Sequence, residues 1–169
     1  LLALAMQGAA PEQSSRTPVD SLGAALQRLA DSVVAARPRM PGIIIAALDG
    51  RPVHMVEERK GRIAFLNRCV DALGLSTARV HGCKVEALRL APSAIISARA
   101  FAPLPKLLKL AHPFSTPKTI WILPKGRKAR EEVENVTQAW QGVFHVKQSI
   151  TDAEAAIVVA KGVRKGARP

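Results

Sequence analysis

Polar residues follow several short apolar segments of this chain, at positions where parallel strands would end. Glu57 and Glu58 come after "VHMV", Gly82 after "ARVH", Arg99 after "AIISA", and Lys125 closes "WILPK". In open α/β sheets ligands bind beyond the carboxyl ends of the strands, so these residues are candidates for one binding site. Arg99 is the strongest, since it stands between alanines after a β-branched strand. Glu58 is the weakest, because a carboxylate at a helix start is usually solvated.

The elements that would position these residues alternate between short apolar strands and amphipathic helices. "KGRIAFLNRCVDALGL", "APLPKLLKLAHP" and "KAREEVENVTQAW" have helical patterns, and "VFHVKQSI" with "EAAIVVAKGV" forms a terminal pair of strands. This alternation predicts an α/β fold with a parallel sheet, crossover helices and a C-terminal antiparallel hairpin. "PGIIIAAL" is compatible with a buried strand or a short buried helix. Leu22, Leu26, Leu29 and Val33 predict a helix before it.

Net charge narrows the choice of partner. The chain has 25 Lys and Arg against 13 Asp and Glu, a formal charge of +12. Such a surplus favours polyanions, nucleic acid above all. The alternatives are a basic surface that serves solubility and an acidic protein partner. The terminal "KGVRKGARP" is typical of a basic tail that lies along phosphates.

Other features of the composition point away from membranes and metals. No run approaches the roughly 18 to 20 apolar residues of a membrane span, and "LLALAMQGAA" is too short and lacks the basic flank of a signal peptide. Cys69 and Cys83 have no zinc-ligand spacing and are expected in or near the core. The four histidines, His54, His81, His112 and His145, are scattered. We therefore expect a soluble chain without a metal site.

Four stretches resemble the glucose-inhibited division protein B family, which methylates N7 of a guanine in small-subunit ribosomal RNA with S-adenosylmethionine. They are "VHMVEERKGRIAFLNRCVDALGLSTARVHGCKVEAL", "ISARAFAPLPKLLKLAHP", "WILPKG" and "FHVKQSITDAEAAIVVAKGVRK". The resemblance runs from about residue 41 to 164. It implies a Rossmann-like class I methyltransferase sheet over residues 37–164, after an N-terminal helical segment over 1–36 and before a basic tail over 165–169.

The resemblance also implies roles for individual residues. Glu57 would accept hydrogen bonds from the cofactor ribose, the turn from Gly82 to Glu86 would border the adenine, and Arg99 would lie beside cofactor and target base. Gly42 would remain from the cofactor turn. The residues expected to bind RNA are Arg37, Arg39, Lys125, Arg127, Lys161, Arg164 and Lys165.

One departure from the family affects the expected activity. Its members carry Asp-Leu-Gly-Ser-Gly-Ala-Gly-Phe-Pro-Gly at the first strand and turn, whereas only Pro41-Gly42 stands here, after Ala-Ala-Arg-Pro-Arg-Met. The missing glycines would let the methionine end of the cofactor approach the main chain. We therefore expect a degenerate homologue without cofactor or catalysis, which binds small-subunit rRNA beside ribosomal proteins as a ribosome component or assembly factor.

Two alternatives remain open, and so does the location. The first is an active 16S-type rRNA (guanine-N7) methyltransferase that uses S-adenosylmethionine, and the second is a protein-interaction module. A ribosome-associated location, in a mitochondrial matrix or a bacterial cytoplasm, follows from the RNA-binding hypothesis.

Overall fold

A computed structural model describes residues 2–5, 41–49, 51–149 and 152–166. Its strands are β1 (Leu2–Ala5), β2 (Val53–Val56), β3 (Ala78–His81), β4 (Ile95–Ala98), β5 (Ile120–Lys125), β6 (Trp140–Gln148) and β7 (Ala156–Lys165). Its helices are α1 (Pro41–Asp49), α2 (Lys60–Ala72), α3 (Leu104–Ala111) and α4 (Ala129–Thr137), with short 3-10 turns at Val85–Ala87 and His112–Phe114. The helix predicted before residue 37, with Arg37 and Arg39, lies outside the described residues.

The strands form one seven-stranded sheet in the order β3-β2-β1-β4-β5-β7-β6. Strand β2 pairs with β3, and β4 with β5, in parallel. Strands β6 and β7 form an antiparallel hairpin that joins the sheet through β5. The predicted α/β architecture, with its terminal hairpin, is confirmed.

Strand β1 was not predicted, and it runs antiparallel to both of its neighbours. Leu2 lies opposite Val56 and Ala98, and the register continues along both strands to Ala5. The side chains of Leu2 and Leu4 are fully buried, so this short strand joins the core of the sheet. Because β2 and β4 point the other way, the carboxyl end of β1 lies at the edge opposite to theirs.

Two apolar cores lie on the two faces of the sheet. On one face α1 and α2 cover a cluster that includes Ile43, Met55 and Leu66. Helices α3 and α4 pack on the other face, over a cluster around the fully buried Trp121. Segment 41–49, for which the sequence left strand or helix open, is a helix. The rigid sheet thereby holds the loops at its carboxyl edge.

Helix α3 shows why the sequence folds in this way near the site. Leu104, Leu107, Leu108 and Ala111 recur at helical spacing, and all four are buried. Burial of a leucine side chain contributes about 1.5–3 kcal/mol, so this stripe fixes the helix against the sheet. None of the described helices is long and apolar enough to cross a membrane.

Candidate functional site

A cavity of about 300 Å³ opens at the carboxyl ends of β2, β3 and β4. One wall comes from the start of α2, a second from the loop after β3, and a third from the loop after β4 together with α3. The lining residues are Val56–Arg59, Arg62, Cys83–Glu86, Ala100–Ala102, Lys106 and Leu110. The volume lies at the lower end of the range for small-molecule sites.

Glu57 is the buried carboxylate of the cavity, with 7% of its surface exposed. Its Oε1 accepts the backbone N–H groups of Glu58 and Arg59, both at 3.1 Å, and its Oε2 lies 3.4 Å from Nη1 of Arg62. Burial acts to raise the pKa of Glu57, whereas the Arg59 N–H and the Arg62 guanidinium are among the groups that lower it, and the pKa lies below its ordinary value. Glu57 is therefore ionised at neutral pH.

An ionised carboxylate has about four acceptor positions, and Glu57 keeps capacity for a ligand. The two backbone N–H groups share Oε1, and among the described residues Oε2 has only the long contact from Arg62. The Arg62 side chain is 51% exposed, and exposed ion pairs contribute about 0 to 1 kcal/mol. A ligand hydroxyl can take its place at Oε2.

The loop after β3 forms the second wall, from Cys83 to Glu86. Gly82 precedes it and packs against α2, where an added Cβ would lie 3.1 Å from Cδ1 of Ile63. Glycine thus lets the loop approach the helix closely. Cys83 is half-buried in the cavity wall, whereas Cys69 lies on the buried face of α2, where burial raises the pKa of its thiol.

The loop after β4 forms the third wall. Ala100 has φ +48°, a left-handed conformation that is uncommon outside glycine. Ala100, Phe101 and Ala102 all line the cavity, while Arg99 stands immediately before them and is half-buried. The turn at Ala100 therefore lies in the cavity wall, directly after the end of β4.

An ion pair beneath this wall holds it to α4. Nζ of Lys125 donates to the carbonyl of Ala102 at 2.9 Å and to Oε2 of Glu132 at 2.8 Å. The same carboxylate oxygen accepts the first N–H of α3, from Leu104, at 2.6 Å. The Lys125 side chain is only 9% exposed. Lys125, which the sequence assigned to RNA, thus buttresses the cavity wall.

The structure brings some predicted cofactor residues together and separates others. Glu57 and Glu86 line the cavity, and Gly82 and Arg99 directly precede lining residues. Gly42 is buried in α1 and is not among the described residues that line the cavity. Their assignment to a cofactor stays a prediction.

The predicted RNA-binding residues divide into two groups. Arg127 follows β5 at the cavity edge of the sheet, and its side chain is 80% exposed. Lys161, Arg164 and Lys165 are also exposed, but they occupy the second half of β7, toward the opposite edge. At about 3.3 Å per strand residue, Lys165 lies roughly 30 Å from the start of β7.

The sequence missed several residues of the cavity. The lining residues Phe101, Lys106 and Cys83 are not among the site residues that the sequence predicts. Their positions immediately after strands, or one turn into the next helix, are the signal that could have identified them. Among the described residues no group of three or more His, Cys, Asp or Glu side chains could hold a metal ion.

The sheet order and the acidic residue at the end of β2 define a class I, Rossmann-like methyltransferase fold. Solved structures agree. The chain superposes on a variant of MtNAS in complex with S-adenosylmethionine with a TM-score of 0.56, at 15% identity, over 88% of this chain and 68% of that chain. MtNAS in complex with MTA and tNA gives a TM-score of 0.55 at 14% identity, over 88% and 66% of the two chains.

The chain belongs to the family described as rRNA small subunit methyltransferase G, whose model matches residues 37–158. It is 48% identical to the ribosomal RNA small subunit methyltransferase G of Erythrobacter litoralis, over 74% of this chain and 61% of the relative. The relative of the same name from Novosphingobium aromaticivorans is also 48% identical, over 72% and 53%. The chain therefore spans a little over half the length of these relatives, and the predicted family resemblance is confirmed.

Proposed function

We propose that this chain acts in the transfer of a methyl group from S-adenosylmethionine to N7 of a guanine in small-subunit ribosomal RNA. The observation that carries the proposal is the buried, ionised Glu57 at the end of β2, in the wall of a cavity of about 300 Å³. Relatives named as methyltransferases support it. They favour the active enzyme over the degenerate RNA-binding protein that the missing glycines had suggested.

The residues of the cavity suit the adenosyl part of S-adenosylmethionine. Oε2 of Glu57 can accept hydrogen bonds from the ribose hydroxyls once Arg62 moves aside. Val85, Phe101 and Leu110 supply apolar surface in the facing walls, and an aromatic ring stacks well on a purine. A carboxylate at one end and an apolar slot at the other match a nucleoside.

The chain's own residues would bind and orient rather than exchange protons. S-adenosylmethionine, when bound, supplies an activated methyl group, so methyl transfer requires mainly positioning. Glu57 would fix the ribose, and Phe101 the adenine. The exposed ammonium of Lys106 at the cavity mouth would attract the phosphates of the RNA substrate.

Protection of Cys83 from alkylation tests binding in this cavity. Cys83 lines the cavity and Cys69 is buried, so a maleimide should label Cys83 first. We expect S-adenosylhomocysteine to slow that labelling by about tenfold or more, and Glu57→Gln to abolish most of the protection. The matched control is Glu131→Gln, which changes an exposed carboxylate on α4 outside the cavity. Equal labelling rates with and without the ligand would refute the assignment.

Methyl transfer is tested with labelled S-adenosylmethionine and small ribosomal subunits that lack the modification. We expect label in the rRNA, and a rate about 10–100-fold lower with Glu57→Gln. Binding of rRNA without incorporation of label would instead support the second candidate.

That second candidate is an rRNA-binding protein without catalysis, and two observations favour it. Residues 35–40 contain no glycine where the family has a glycine-rich turn. Strand β1 also runs antiparallel to β2 and β4, so its carboxyl end lies at the edge away from the cavity. Both features argue against a turn like the one with which the family holds the methionine end of the cofactor.

We further propose that the protein acts on the small ribosomal subunit in a bacterial cytoplasm, where it meets ribosomal proteins as well as rRNA. The bacterial source of the similar relatives supports this location over a mitochondrial matrix.

A further inference from the structure

A second cavity, of about 180 Å³, lies where β5 ends and the β6–β7 hairpin turns. Its walls are the segment from Gly126 to Arg130 at the start of α4, the end of β6 at Gln148, and the hairpin loop Ala153–Ala156. None of its lining residues belongs to the first cavity. It is a separate concave surface with no role in the adenosyl site.

The two cavities open along the same edge of the sheet. Strands β4 and β5 are parallel, so they end at this edge, and Lys125 at the end of β5 pairs with Ala156 at the start of β7. Adjacent strands are about 4.8 Å apart, which places β7 about 10 Å from β4. A single extended nucleic acid strand can therefore contact both cavities at once.

The Gln148 side chain contributes to the shape of the second cavity. Nε2 of Gln148 donates to the carbonyl oxygens of Ala153 and Ala155, both at 2.9 Å. These bonds tie the hairpin loop to β6. The loop in turn presents Glu154, whose Oε2 lies 3.0 Å from Nη1 of Arg127.

The charges of this cavity suit a phosphate. Arg127 and Arg130 both line it and both are exposed. Glu154 is the carboxylate beside Arg127, and the two side chains are 80% and 67% exposed. A pair this exposed contributes about 0 to 1 kcal/mol, whereas guanidinium groups bind phosphate in a bidentate manner. A phosphate can therefore displace Glu154 at little cost.

We propose that Arg127 and Arg130 form a phosphate subsite for the RNA strand that leads away from the target base, and that Glu154 occupies Arg127 until RNA arrives. The inference rests on the proposed function, because it takes RNA as the substrate. The RNA strand would run along the carboxyl edge of the sheet, past the ends of β4 and β5 and the start of β7. Arg130, which the sequence had not singled out, shares the contact with Arg127.

The salt dependence of RNA binding tests the subsite. The probe is a fluorescently labelled single-stranded fragment of small-subunit rRNA, titrated at several potassium chloride concentrations. The slope of log K against log salt is negative, and each lost phosphate contact reduces its magnitude by about 0.7 for single strands. We expect the double variant Arg127→Gln, Arg130→Gln to reduce the magnitude of this slope by about 1 to 1.5. It should also weaken RNA binding about tenfold or more at low salt.

Two further variants sharpen the result. Glu154→Gln should strengthen RNA binding a few-fold, because it removes the carboxylate that competes with phosphate. Arg68→Gln is the matched control, since Arg68 is exposed on α2, over the other end of the sheet. All four side chains are exposed, so the urea midpoint of each variant should stay close to that of the unmodified chain.

Each outcome bears on the inference. A slope and affinity of the Arg127→Gln, Arg130→Gln variant equal to those of Arg68→Gln would overturn the subsite while leaving the proposed function intact. Absence of RNA binding by the unmodified chain would overturn both. Retained ligand protection of Cys83 in the double variant shows that a loss of RNA binding arises at the second cavity and not at the first.

Discussion

Replacement of Glu132 by alanine should destabilise the protein strongly, because this carboxylate holds three elements together. Oε2 of Glu132 accepts Nζ of Lys125 at 2.8 Å and the N–H of Leu104 at 2.6 Å. In the variant the Lys125 ammonium, whose side chain is 9% exposed, loses its carboxylate partner and keeps the hydrogen bond to the Ala102 carbonyl. Breaking a buried pair costs about 3–5 kcal/mol. The 25% exposure of Glu132 admits water, so we expect about 2–3 kcal/mol in total.

Urea unfolding followed by tryptophan fluorescence measures this loss. Glu131→Ala is the matched control, since Glu131 lies in the same turn of α4 and is exposed; it should change the free energy of unfolding by less than about 0.5 kcal/mol. With Lys125→Met in place, Glu132→Ala should cost about 1–2 kcal/mol less than it does alone. Equal stability of Glu132→Ala and Glu131→Ala would refute the account of this wall.

Three further predictions concern titration and backbone conformation. His54 Nδ1 and His81 Nε2 lie 2.8 Å apart, and burial lowers the pKa of both; for His54 the charges of His81 and a neighbouring arginine add to it. The folded protein therefore binds fewer protons than the unfolded chain below the ordinary histidine pKa of 6.5. The free energy of unfolding is then highest above that pH and falls as the pH drops through the lowered pKa values. His81→Gln should reduce the change of the urea midpoint between about pH 7.5 and about pH 5. Ala100 has φ +48°, so Ala100→Gly should change the free energy of unfolding in urea by less than about 0.5 kcal/mol, whereas Ala100→Val should lower it by about 1–3 kcal/mol. An unchanged free energy of unfolding in Ala100→Val would contradict the left-handed turn. Gly142 and Gly74 both have positive φ, but a Cβ at Gly142 would lie 3.0 Å from the backbone carbonyl oxygen of Lys161, whereas Gly74 faces open space. Gly142→Ala should therefore lower the melting temperature more than Gly74→Ala, which costs about 1 kcal/mol. The reverse order would contradict the close approach of β7 to Gly142.

The sequence predicted best those elements whose pattern admits one structure. The apolar positions of α2 and α3 recur at helical spacing, and both helices are found. The segment at α1 could not be decided, because a run of isoleucine and alanine suits a buried strand as well as a buried helix. Strand β1 could not be predicted at all, since its orientation is set by pairing with β2 and β4, which are distant in sequence.

The site shows the same division. Glu57 could be placed from the sequence, because it directly follows a strand and the rule for open sheets applies. Lys125 is the last residue of a strand, yet its side chain pairs with Glu132, and no local pattern reveals a partner on the next helix. Arg127 and Glu154 likewise meet only through the fold. Contacts between elements that are distant in sequence are the part that the sequence alone leaves open.

Calorimetric titration of the purified chain with S-adenosylmethionine tests the central claim, that the cavity at Glu57 binds the adenosyl group. We predict saturable binding that Glu57→Gln weakens about 10–100-fold, the equivalent of about 1.5–3 kcal/mol for hydrogen bonds to a charged group. Glu131→Gln, on the exposed face of α4 outside the cavity, should leave the affinity unchanged. No heat of binding, or the same affinity in all three proteins, would contradict the account.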